Sequence, residues 1–101
     1  MRFVVRVSIP TEKFNQYVLD GTAGQKIGRV LDEIKPEATY FTAENGVRGG
    51  YLIVNIDDPS EMPRIGEPFF LLFGAKVEYF PTMLPQDLQK AGLEQIGQKW
   101  R

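Results

Sequence analysis

The chain of 101 residues contains neither cysteine nor histidine. Without cysteine there is no disulfide, no thiol nucleophile and no thiolate metal site. Without histidine there is no imidazole ligand and no histidine-held haem. The side chain whose unperturbed pKa lies nearest neutrality is gone as well. Any acid–base chemistry therefore falls to Asp, Glu, Lys, Tyr, Arg or the backbone, and neither a metal nor a cofactor is expected. A surplus of positive charge is also lacking, with 12 Lys and Arg against 13 Asp and Glu for a net charge of −1. With no basic stripe, nucleic acid is not an expected partner. Long apolar runs are missing, so neither a membrane span nor a signal peptide is expected, and a cytoplasmic location is the default.

What remains is an ordinary globular composition, 43% hydrophobic and 25% charged, read as a single domain over residues 1–101. Residues 3–9 alternate Phe3, Val5, Val7 and Ile9 with Val4, Arg6 and Ser8, which predicts a strand ended by Pro10. Thr11 is the expected helix cap, with Glu12 in the first turn. Phe14 and Val18, then Ile27, Val30, Leu31 and Ile34, carry helical spacing. Gly21 and Gly24 predict a bend or break between the two sets, and Pro36 a stop.

Residues 38–44, rich in Thr and aromatics, predict a second strand. Asn45-Gly46 signals a hairpin, and Gly49-Gly50 points to a turn longer than the minimum or bulged. Residues 51–56 are the most apolar strand, hence a central one. Asp58, Pro59 and Glu61 form a helix start with a capping box. Pro63, Gly66 and Pro68 then predict a helix that is short or in two pieces, with Phe69 to Phe73 packed on the sheet and Gly74 as its stop. Residues 76–82 make a fourth strand, and Pro81 places it at an edge. From Pro85 a last helix carries Leu88, Ile96 and Trp100, weakened by Gly92 and Gly97. Docking of Trp100 on this chain or a neighbour would stabilise it.

The order is that of an α+β, ferredoxin-like βαββαβ domain, with a four-stranded antiparallel sheet and a C-terminal helix. Its helices cover one face only. The alternate sets, with Phe41, Tyr51 and Ile53 taken on one side and Tyr40, Leu52, Val54 and Ile56 on the other, leave apolar groups on both faces. A second copy of the chain is the simplest cover.

The strand running into Pro10, the strand at residues 51–56 followed by Asp57-Asp58, and residues 69–83 together resemble the dimeric α+β barrel superfamily, and within it the muconolactone isomerase-like small proteins. The resemblance implies two sheets packed face to face in a homodimer or higher oligomer, with C-terminal segments reaching the partner. It matches no catalytic residue of the isomerase.

Candidate site residues follow from chemistry. Arg6 and Glu78 lie on strands expected to be neighbours. They form either a cross-strand ion pair, the simpler reading, or a catalytic carboxylate at Glu78 beside an anion-binding Arg6. Tyr40 is a candidate donor in a pocket, set against a core or interface role. Asn55 interrupts an apolar strand; buried, it needs either backbone partners or a ligand. Arg64 and Glu67 lie on the interrupted helix, as a pocket wall or as exposed charges. Two functions compete. One is binding of a small apolar or aromatic molecule, extending to cofactor-independent isomerisation by carboxylate or Tyr. The other is a non-catalytic assembly or partner-binding module.

Overall fold

Alternation of Val5 and Val7 with Arg6 and Ser8 gives β1 (Arg2–Ser8) one buried and one half-exposed side in the computed structural model, which describes residues 1–101. Pro10 itself occupies the cap of α1 (Thr11–Leu19), and Thr11, the expected cap, is the first helical residue. Gly21, at φ +80°, breaks the helical region as its glycines predict. A separate α2 (Ala23–Ile34) follows, burying Val30 and Ile34. It ends at Lys35, whose left-handed conformation precedes Pro36.

β2 (Ala38–Glu44) and β3 (Val47–Asn55) are joined by Asn45 and Gly46 alone, both at positive φ. This corrects the expectation of a longer turn. Gly49 and Gly50 belong to β3 because no side chain fits there: a Cβ at Gly49 would run into the Val7 carbonyl, and one at Gly50 into that of Tyr40. The short turn also fixes the register. Tyr40 lies opposite Tyr51 and Phe41 opposite Gly50, so Tyr40 shares a face with Tyr51 and Ile53, and Phe41 shares one with Leu52. That reverses the pairing of these two residues expected from sequence.

The Asp58–Glu61 capping box forms as expected: Ser60 N–H donates to Asp58 at 2.9 Å and Asp58 N–H to Glu61 at 3.0 Å. A single 3-10 turn (Pro59–Glu61) leads into α3 (Met62–Phe73), which runs unbroken through Pro68. A proline in a helix interior costs about 3 kcal/mol. Here α3 buries Ile65, Phe69 and Phe73, each contributing about 1.5–3 kcal/mol, so packing outweighs the lost hydrogen bond. Gly74, at φ +59°, ends the helix, and β4 (Lys76–Pro81) carries its proline on an edge strand, as expected.

The four strands are antiparallel in the order β2-β3-β1-β4. The α1–α2 connection spans β3, and α3 spans β1. This α+β arrangement is compatible with a ferredoxin-like fold. The core lies between the sheet and α1–α3, with thirteen buried apolar residues and no buried polar side chain. The expected single last helix is two short ones, α4 (Pro85–Lys90) and α5 (Leu93–Lys99), separated at Gly92, φ +71°. They stand off the body. The radius of gyration is 17.3 Å, against about 13 Å for a compact domain of this length. Trp100 is 81% exposed and does not dock on its own chain. No helix is long and apolar enough to cross a membrane.

Candidate functional site

The register lays the uncovered sheet face out in rows. Ala38, Ile53, Val4 and Phe80 form an apolar row; Tyr40, Tyr51, Arg6 and Glu78 form a polar one beside it. Arg6 is the centre of the polar row. Its guanidinium lies 3.5 Å from Glu78, directly opposite on β4, and 3.0 Å from Glu44. Tyr51 donates its hydroxyl to the Glu44 carboxylate. That hydrogen bond favours the neutral phenol and pushes the Tyr51 pKa up. Arg6 Nε is buried without a partner. Arg6, Glu44 and Glu78 border a shallow depression of about 340 Å³.

Three of the sequence-derived candidates, Arg6, Tyr40 and Glu78, therefore share one row. Asn55 lies on the same face, two rows away at the end of β3. It is exposed rather than buried, and it accepts from the Met1 amino group at 2.8 Å. Arg64 and Glu67 are remote, on α3. Arg64 pairs with Glu61 at 3.5 Å and donates to the Ile34 carbonyl at 3.4 Å. Glu67 stands exposed beside Arg29 and Glu33 at a separate depression. Sequence reasoning missed Glu44. A two-residue turn at Asn45-Gly46 is the signal that sets Glu44 opposite Val47 and on the face of Tyr51 and Arg6.

A second site lies on the covered face, and no candidate residue belongs to it. Between β2–β3 and the helices is a half-open cavity of about 220 Å³, bounded by Val7, Phe14, Leu31, Phe41, Leu52 and Phe69. Its walls are almost entirely apolar. Gly50, buried on this face between Val7 and Phe41, lines it with backbone alone. The polar side chains at its edge are those of Thr39 and Arg48, which the register places on this face. Arg48 is half-buried; it donates to Asn15 Oδ1 at 2.8 Å and lies 5.1 Å from the Phe14 ring centroid. Phe41 stands 64% exposed on the edge strand beside it. Glycines inside a strand mark close backbone approach, and Gly49-Gly50 marks such an approach to Val7 and Tyr40.

The two sites offer different chemistry. The open-face row holds carboxylates, a guanidinium and phenols within reach of one another, suited to ion pairing or proton exchange. The cavity holds no acid or base beyond Arg48, and is suited to enclosing an apolar body. The chain matches no protein-family model, and no curated protein matches it.

Proposed function

We propose that this protein binds a small apolar or aromatic molecule in the cavity between β2–β3 and the helices, and that it works as a pair of copies joined through the open sheet face. The cavity carries the first part. At about 220 Å³ it exceeds the roughly 150 Å³ that suffices for benzene in an apolar protein interior. A preformed, mostly apolar recess with a few polar groups at its edge is the usual form of a small-molecule site. Titration with toluene and indole, followed by calorimetry and thermal shift, tests it. Binding by the parent and its loss in Leu31→Trp, which fills the space, are expected; no binding by the parent contradicts the reading.

A specific feature favours the pairing. The row of Ala38, Ile53, Val4 and Phe80 is covered by no element of its own chain, and Phe80 is 43% exposed. A second copy would cover it, as in the barrels the sequence resembles. Ile53→Lys should then halve the mass measured by light scattering, and an unchanged mass would remove the pairing from the account. Under such a cover Glu78, Glu44 and Tyr51 would be drawn out of water around Arg6. There a carboxylate could serve the isomerase-like proton transfer considered from the sequence. Binding remains the better-supported reading, because no carboxylate lines the cavity.

A further inference from the structure

We infer that the occupant of the cavity is a small monocarboxylic acid, its apolar body inside and its carboxylate on Arg48; this rests on the reading of the cavity as a binding site. Arg48 is the only charged residue bordering the cavity. None of the chain's five ion pairs includes it, so its half-buried charge has no carboxylate partner. Drawing an unpaired charge partly out of water is unfavourable unless something compensates. The contacts Arg48 does make are positional: one hydrogen bond to Asn15 and the face of Phe14 fix the guanidinium plane. A guanidinium carries five N–H donors, which leaves a free edge able to take a carboxylate through two parallel hydrogen bonds.

The hydroxyl of Thr39, on the covered face with Arg48, borders the same cavity and makes no hydrogen bond within the chain. One cation and one hydroxyl match a single negative charge better than a dianion such as a phosphate monoester. The volume limits the body to a substituted ring or a short branched chain.

Phenylpropionate and phenylpropanol, which differ only in the head group, test this by calorimetry at neutral pH. The acid should bind at least about tenfold more tightly than the alcohol, and added salt should narrow the gap. Arg48→Met keeps the stem on Phe14; it should bring the acid to the alcohol's affinity and leave the alcohol within about twofold. Equal binding of acid and alcohol by the parent, or a preference that survives Arg48→Met, overturns the inference and leaves the cavity reading standing. Binding of neither compound by the parent overturns both. If Arg48→Met fails to fold, the parent's acid-to-alcohol ratio and its salt dependence still decide.

Discussion

The two faces of the sheet solve opposite problems with the same four strands. The covered face carries Val5, Val7, Leu52 and Val54 under three helices, and no polar side chain is buried there. The open face alternates an apolar row with a charged one, and Arg6 holds two carboxylates beside exposed aromatics. Stability resides on the first face because apolar burial is the dominant favourable term in folding. The second is polar enough to meet water and apolar enough to receive a partner. The cavity on the covered face borders Gly50, the position in β3 that brings no side chain to it.

The largest expected effect divides the faces most sharply. Phe73 is fully buried against Phe14, Tyr17 and Phe69, so Phe73→Ala should cost about 3–5 kcal/mol in urea unfolding. Phe80→Ala, on the open face, should cost less than about 1 kcal/mol in the isolated chain. Equal losses would erase the distinction.

Next is Tyr79, whose hydroxyl donates to the Met62 carbonyl at 2.8 Å and ties β4 to α3. Tyr79→Phe should cost about 1 kcal/mol. Burial, and then the nearby Glu67, push the Tyr79 pKa up. The folded state therefore holds this proton more firmly than the unfolded chain. The resulting stability is complete below the ordinary phenol range and is lost as pH rises through the raised value. A plot of Tm against pH should lose part of its alkaline fall in Tyr79→Phe.

Arg6→Met is a milder change. Its partners are 42% and 50% exposed, so the loss should be about 0.5 kcal/mol or less and should shrink in high salt. A loss several times larger would mean that the open face is desolvated by a partner. The smallest effect lies at the entry to α3. Backbone N–H groups hold the Asp58 and Glu61 carboxyls below their usual range. Their contribution is present above the ordinary carboxylate range and is lost as pH falls through the lowered values. Asp58→Ala should flatten the acid limb of the Tm profile and leave the alkaline limb unchanged.

Local chemistry was legible in the sequence where it acted alone. The break at Gly21, the hairpin at Asn45-Gly46, the capping box at Asp58 and Glu61 and the stop at Gly74 each depend on a few neighbouring residues, and each formed. Pro68 misled because its cost is local whereas its compensation, the burial of Ile65, Phe69 and Phe73, is tertiary. Gly49-Gly50 misled for the same reason: glycine weakens an isolated strand, but this one is pinned between two neighbours. Reading those glycines as a turn then gave the wrong face to Tyr40 and Phe41. Of the open-face site, the Arg6 and Glu78 pairing was legible from strand order, while Glu44 required the register. The cavity was not legible, because its walls come from strands and helices far apart in the sequence, Val7, Phe14, Leu31, Phe41, Leu52 and Phe69.

Methyl NMR of the protein during titration with phenylpropionate tests the central claim most directly. Shifts concentrated on the methyls of Val7, Leu31 and Leu52, with Val4 and Ile53 unmoved, are the result expected if the covered face holds the ligand. Shifts confined to Val4 and Ile53, or none at all, would contradict it.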